Sequence, residues 1–478
     1  MDKKIIISTF VAVCVLLACI LTITVLNKNS DEVSSSEMPS ETSSEATSDS
    51  SANASEESLT DSAEDSEEEP SSNGEPSEES AEESSTTESS EENGRKVVSF
   101  LACPDNIIHP SVYYNALRSA AEKAGAEPDY KALQTADYDF APMYENIAER
   151  ITSADLAYVN VETLIGGNEN KISGYPTFNS PEAAGETLID LGFDIYNLAH
   201  NHMLDSYDDE YLINCNRFFT ERGQTTIGYY ENKSAIDDIV VVEKNGIKIA
   251  LLAYTYGTNG ISLSSSASTY LPIISEELME RQVAIAKEKA DFIIASVHWG
   301  TEDIYSPTSK QRSAAQTLVD LGVDVIVGMH PHVIQEAKWV ERSDGSGKTF
   351  LVYSLGNLVS GMYGGKNALG AMLSFDIVDL GDGSRPFIED VLITPTVCHY
   401  TKESAVNSDD TGFRNFKIYE VEHYTEELAQ SHGCHKNVSK MSIVDPLLDK
   451  NFSKESLIKK IKEIFPSEFL PQYYQLLP

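Results

Sequence analysis

Thr187-Leu-Ile-Asp-Leu-Gly-Phe-Asp-Ile-Tyr-Asn-Leu-Ala-His-Asn-His202 aligns without a gap to Thr317-Leu-Val-Asp-Leu-Gly-Val-Asp-Val-Ile-Val-Gly-Met-His-Pro-His332, and eight of the sixteen positions are identical. Each stretch reads as the end of a helix, a glycine at the C-cap (Gly192 and Gly322), an apolar run too short for a helix, and a polar turn. Consecutive apolar positions suit a strand covered on both faces. Helix, cap and buried strand form a common grammar, which accounts for the shared scaffold. It does not account for the His-x-His that ends both copies.

The same grammar extends outward in both directions. Apolar runs at 97–103, 156–161, 195–199, 248–254, 292–297, 323–329 and 350–354 read as strands, and 111–123, 143–152, 181–191, 208–222, 276–289 and 309–321 as helices. Strands alternating with helices predict an α/β layered domain. The segments 368–378 and 387–400 read as further strands, extending the sheet or starting a second one. The domain so defined is 95–400. Residues 401–478 form a C-terminal extension with an amphipathic helix at 453–464, N-capped by Ser453, and a tail expected to dock on the domain.

Ahead of the domain the composition changes twice. Residues 5–26 are 22 consecutive uncharged residues behind Lys3 and Lys4, long enough to span a bilayer with the N-terminus cytoplasmic. Residues 1–28 are thus expected to be a single-pass anchor in the cell membrane, with everything after it extracytoplasmic. A cleaved signal peptide, or a lipoprotein signal ending at Cys19, reads the same run differently. Residues 29–94 hold 22 acidic residues and 22 serines with no Lys, Arg or aromatic, and are expected to be a disordered linker of about 45 Å end-to-end distance. The net charge of −41 argues against nucleic acid as a partner, which requires a basic face. Cys103, Cys215, Cys398 and Cys434 are too scattered for a disulfide framework or a metal knuckle.

Ligands of open α/β sheets bind beyond the carboxyl ends of the strands. Metal-capable residues recur there: Asp105 and His109; Asn160 and Glu162; His200, Asn201, His202 and Asp205; His298; His330 and His332; Asn357. Six of the ten histidines occupy such ends. Neutral imidazoles with carboxylates suit Mn, Zn or Fe, and the inventory is large enough for two divalent ions and hydrolytic chemistry.

Seven stretches follow one another in the order of a known family: Pro104-Asp-Asn-Ile-Ile-His109, Ala154-Asp-Leu-Ala-Tyr-Val-Asn-Val-Glu162, Tyr175-Pro-Thr-Phe-Asn-Ser-Pro181, Ala199-His-Asn-His-Met-Leu-Asp205, Val297-His-Trp-Gly300, Val327-Gly-Met-His-Pro-His332 and Tyr353-Ser-Leu-Gly-Asn357. Together they resemble the CapA/PgsA family of capsule (poly-γ-glutamate) synthesis proteins, whose domain is similar to calcineurin-like metallophosphoesterases. The resemblance implies a four-layer α/β/β/α sandwich and a part in synthesis, export or trimming of a capsule polymer. It implies Asp105 and His332 on one metal, Glu162 bridging, and Asn201, His298 and His330 on the other. His202 would be a general acid or transition-state stabiliser oriented by Asp205, which reads equally as a helix N-cap. His109, Asn160, His200 and Asn357 are additional ligands or supports.

The chain departs from the family at Pro104, where glycine is usual, and at His200, where asparagine is usual, and the spacing of His109 from Asp105 differs from the phosphoesterase Asp-x-His signature. Two functions follow: a metal-dependent hydrolase of a γ-glutamyl amide or phosphoester, or a non-catalytic accessory component of a polymer synthesis or export complex. The expected partners are an anionic capsule polymer or its precursor, contacted through the metals or through Lys310 and Arg312, and membrane synthase or export subunits.

Overall fold

The computed structural model describes residues 94–436 and 443–477. Its strands, in chain order, are β1 (Lys96–Asn106), β2 (Leu156–Asn160), β3 (Ile195–Asn197), β4 (Thr225–Ile227), β5 (Val240–Lys244), β6 (Ile247–Thr255) and β7 (Phe292–His298), then β8 (Val325–Met329), β9 (Ile334–Glu341), β10 (Lys348–Leu355), β11 (Asn357–Val359), β12 (Leu369–Asp379), β13 (Phe387–Lys402) and β14 (Phe413–Glu420). They form two mixed sheets, one ordered β14-β13-β12-β1-β2-β3-β4 with β11 on the end of β1, the other β5-β6-β7-β8-β10-β9. In the first sheet pairing is parallel from β1 to β4 and antiparallel from β1 through β12 and β13 to β14, whereas in the second a parallel middle, β6-β7-β8-β10, is closed by antiparallel β5 and β9.

The period of two along β1 explains the layers. Phe100 and Ala102 face inward, into a core shared with Ile249, Leu251, Ile294 and Val327 of the other sheet. Leu101 and Cys103 face outward, packing with Val112 of helix Pro110–Ala124 and Leu212 of helix Glu210–Thr220. On the far side of the second sheet, Leu252, Ile293 and Ile326 bury Leu278 of helix Glu276–Lys289 and Leu318 of helix Ser309–Asp320. Strands apolar on successive residues thus have helices on one face and the opposite sheet on the other. Gly192 and Gly322 have φ of 90° and 85°, the left-handed turn that lets each helix reverse into its strand.

The segments 368–378 and 387–400 extend the first sheet, with β12 pairing directly to β1. β13 runs through residue 400, and β14 from the C-terminal extension completes that sheet. The helix expected at 143–152 is broken into Ala141–Tyr144, a 3-10 turn Glu145–Ile147, and Ala148–Ser153. Bonds to β14 hold the break: Asn146 donates to the Ile418 carbonyl (2.8 Å) and Lys417 pairs with Glu145 (2.6 Å). Helix Lys454–Ile464 is capped by Ser453 and lays Leu457 and Ile461 on the inter-sheet core, and Phe469 of the tail meets the Phe350 ring edge-on at 5.2 Å. Among the described residues no helix is long and apolar enough to cross a membrane. The anchor expected at 1–28 and the linker expected at 29–94, Gly94 aside, lie outside them.

Candidate metal centre

The carboxyl ends of β1, β2 and β3 from one sheet meet those of β7 and β8 from the other. A hydrogen bond between Tyr158 Oη and Ser296 Oγ (2.6 Å) joins β2 to β7 just beneath this junction. Asp105 sits at register shifts in β1, opposite Asn160 of β2 and Asn357 of β11. A ladder of amides fixes its carboxylate. Asn197 donates to Asn160 Oδ1 (2.7 Å), Asn160 donates to Asp105 Oδ1 (2.7 Å), and the His330 backbone N–H donates to Asp105 Oδ2 (3.1 Å). Glu162 follows β2 by two residues and is buried, yet neither of its carboxylate oxygens has a hydrogen-bond partner.

From the second sheet, His298 is the last residue of β7, and His330 and His332 follow β8 with φ of 95° and 55°. Two non-glycine residues in this region cost roughly 1 kcal/mol or more each, a strain that persists only where the surroundings enforce it. Here Asp303 N–H donates to Pro331 O (2.9 Å) and Asn367 Nδ2 to His332 O (3.2 Å). The turn aims both imidazoles inward. His332 Nδ1 lies 3.3 Å from Asp105 Oδ2 and 3.0 Å from Asn357 Oδ1, and its Nε2 lies 3.4 Å from Glu162 Oε1. His298 Nε2 lies 3.7 Å from the same Glu162 oxygen and 2.9 Å from Asn201 Oδ1.

Two ligand groups, Asp105/Glu162/His332 and Glu162/His298/His330, share Glu162, and a third joins His330 and His332 to the exposed Glu302, each with donor atoms within 4.8 Å of one another. Burial, and then the neighbouring imidazoles, lower His298 and His330 well below the usual histidine range, so both rings are neutral. Burial also works against a charge on His332, but Glu162 and Asp105 outweigh it and hold that ring at about 10. Burial, and then the Asp105 charge, push Glu162 upward. A buried carboxylate without a hydrogen bond at either oxygen is costly as it stands, and a divalent cation would offset that cost. The unpartnered Nδ1 of buried His330 adds to the same fit.

Around this centre, Asp205 Oδ2 accepts from both His202 Nδ1 (2.8 Å) and the Phe178 backbone N–H (2.6 Å). Asp205 is therefore a partner of His202 and not the helix N-cap, which falls at Asp209. His109 precedes helix Pro110–Ala124; its Nδ1 accepts from Gly361 N–H (3.2 Å) and its ring meets Phe178 edge-on at 5.4 Å, outside both ligand groups. Burial, and then His332 and His202, lower His109 to about 3. His200 is buried and spends Nδ1 on the His202 backbone N–H (3.1 Å), also outside the ligand groups. His432 and His435 spend ring nitrogens on the carbonyls of Cys398 and Ala429, and the four described cysteines are free and buried.

Three contributors escape the sequence reading. Tyr256 follows β6, its ring 4.6 Å from that of His330, and Asn259 in the same loop accepts from Asn201 Nδ2 (3.0 Å). Glu302 lies four residues beyond His298 and groups with His330 and His332. The available signal was positional, because β6 ends at the same edge as the strands whose ends were read. A cleft of about 710 Å³ adjoins Tyr256 and Gly300 and carries Lys310 on its wall, whereas Arg312 lies 3.8 Å from Glu336.

Fold and site together define a class: mixed α/β proteins with a buried carboxylate–imidazole centre where the strand ends of two sheets meet. The chain belongs to the bacterial capsule synthesis protein family PGA_cap, whose model matches residues 99–362, more than half of its length. Among curated relatives, the capsule biosynthesis protein CapA of Bacillus anthracis is 29% identical over 38% of this chain and 43% of its own length. The PGA biosynthesis protein CapA of Bacillus subtilis (strain 168) is 28% identical over 47% and 56%. The chain spans about half the length of these relatives. Among solved structures, a 5'-nucleotidase precursor from Thermus thermophilus aligns at TM-score 0.38 and 12% identity, covering 63% of this chain and 54% of that one. The sulfate thiohydrolase SoxB from the same organism aligns at TM-score 0.34 and 12% identity, covering 63% and 56%.

Proposed function

We propose that the protein is a hydrolase dependent on two divalent metal ions, Mn, Zn or Fe, acting on a capsule polymer of the poly-γ-glutamate type outside the cell membrane to which its N-terminal segment anchors it. The observation that carries this reading is the buried Glu162 carboxylate, which has imidazole nitrogens of His332 and His298 at 3.4 and 3.7 Å but no hydrogen bond at either oxygen, and which two ligand groups share. When bound, two cations acidify a water and stabilise negative charge on the scissile group. Asp105 and His332 hold one position, and Asn201, His298 and His330 the other. Asp205 accepts from His202 Nδ1, which orients the ring so that Nε2 is the nitrogen left to exchange a proton with the substrate. The anionic polymer and any membrane synthase or export subunits are the partners this reading supplies.

The test is the metal content of the purified protein after reconstitution, by plasma mass spectrometry, beside a His330→Ala/His332→Ala variant. Near two equivalents per chain, falling sharply in the variant, is the expected result. No bound metal after exposure to Mn, Zn and Fe refutes the hydrolase and leaves a non-catalytic accessory role.

A further inference from the structure

Three residues other than glycine take left-handed backbone at one spot: His330 and His332, with φ of 95° and 55°, and Asp303, with φ of 68°. They are braced against one another. Asp303 N–H donates to the Pro331 carbonyl (2.9 Å), and its carboxylate accepts from Asn367 Nδ2 (2.8 Å) and faces Lys366 Nζ (3.2 Å). Asn367 Nδ2 also donates to the His332 carbonyl (3.2 Å), so one amide spans the loop after β7 and the turn after β8. Behind this brace stands the C-terminal extension. Asp449 accepts from the backbone N–H groups of Lys366 (3.0 Å) and Asp445 (2.6 Å), and lies 3.9 Å from the Lys366 ammonium, which donates to the Ile443 carbonyl. A second arm comes from helix Lys454–Ile464. Its buried Lys460 pairs with Asp445 (3.3 Å) and Glu463 (3.0 Å) and sits 4.4 Å above the ring of Tyr305, two residues past Asp303.

We propose that Asp449 and Lys460 of the C-terminal extension are positioning residues for His332, acting through Lys366, Asp303 and Tyr305 to hold its turn in the conformation that aims the ring at Asp105 and Glu162. The inference deepens the two-metal reading and rests on it for its metal readout, while the position of the ring can be read without metal. Left-handed backbone at a non-glycine residue persists only where the surroundings over-determine it. Here the restrained atoms are the carbonyls of Pro331 and His332, and their restraints lead back to the extension. Apolar burial of Leu457 and Ile461 already docks the helix on the inter-sheet core. The buried ion pairs add little net stability to that docking, and what they add is fixed geometry. Lys366, Asn367, Asp449 and Lys460 all lie beyond residue 362, where the family match ends. The matched residues therefore supply the ligands but not all of the support for the turn that carries two of them.

The experiment compares full-length wild type with Asp449→Asn, Lys460→Met and Lys460→Arg. Asp410→Asn, which breaks the buried pair with Arg414 outside this network, is the control for lost stability. Nitrogen NMR of the His332 imidazole is read in the metal-free proteins, and Mn binding by isothermal titration calorimetry. Asp449→Asn and Lys460→Met should displace the His332 resonances and weaken one of the two Mn equivalents about tenfold. Lys460→Arg should stay near wild type, and Asp410→Asn should leave His332 unmoved. His332 resonances that stay at their wild-type positions in Asp449→Asn and Lys460→Met overturn the proposal, as does an equal displacement in Asp410→Asn. A wild type that takes up no Mn refutes the hydrolase reading, and the His332 resonances then decide this proposal by themselves.

Discussion

In the proposed metal centre, His332 is the residue on which proton and metal would compete. With Glu162 and Asp105 against its two nitrogens it is held at about 10 from an ordinary 6.5, so the metal-free ring is protonated at neutral pH. A ligand nitrogen must be neutral, so loading has to expel that proton. Metal affinity should therefore tighten up to about tenfold per pH unit between 6.5 and 10, with proton release visible as a buffer-dependent binding enthalpy. An affinity flat over that window would contradict the assignment of His332 as a ligand. In the metal-free protein the same shift stabilises the fold in full below pH 6.5, and that contribution fades as pH rises through about 10. Asp205 serves two donors, so Asp205→Ala should leave the buried Phe178 N–H unpaired and cost about 1–3 kcal/mol in chemical denaturation. It should also release His202 from its Nδ1–H tautomer, a change read by nitrogen NMR of the imidazole.

Between elements, the C-terminal extension is tied to the ligand loops by charge. Lys366 in the short helix Gly365–Ala368 is fully buried at its side chain, 3.2 Å from Asp303 and 3.9 Å from Asp449, and Asp303 in turn holds the Pro331 carbonyl. Removing one member of such a group strands the others. Lys366→Met should destabilise the protein by about 3–5 kcal/mol in urea unfolding, and adding Asp449→Asn should recover part of that. A loss below about 1 kcal/mol would mean that solvent already compensates the two aspartates. The helices and buried parallel strands were legible in the sequence because an apolar run bounded by a C-cap glycine has one reading. β4, β5, β9, β11 and β14 were not. Three-residue strands such as Thr225–Ile227 carry no period, and Phe413–Glu420 and Val240–Lys244 lie at sheet edges where polar residues interrupt the pattern.

At the scale of the whole molecule, the convergence of the candidate ligand residues was legible because α/β topology sends every parallel strand's carboxyl end to the same edge, so position along the chain stood in for position in space. Glu302 and Tyr256 were hidden by the same logic. Each lies a step past a strand end, and only the folded loops reveal how far back they reach. The family match stops at residue 362, yet β12 pairs with β1 from Lys96 to Ala102. A chain ended at residue 362 should therefore be recovered mainly as insoluble material, with β1 lacking its antiparallel neighbour along its length. Soluble, cooperatively folding protein from that shorter chain would show that β12 is dispensable.

That pairing also sets a timetable. A ribosome delivers β1 first among these strands, but Lys96 must wait 283 residues for Asp379, and Asp105 waits for Asn357. Contacts this distant in sequence are slow to close, and the waiting strand remains open to wrong partners. The ligand cluster cannot close until His332, at the end of β8, has been made. On the two-metal reading, the ion would be drawn from the compartment in which these distant segments finally meet, and its identity would record where folding ended.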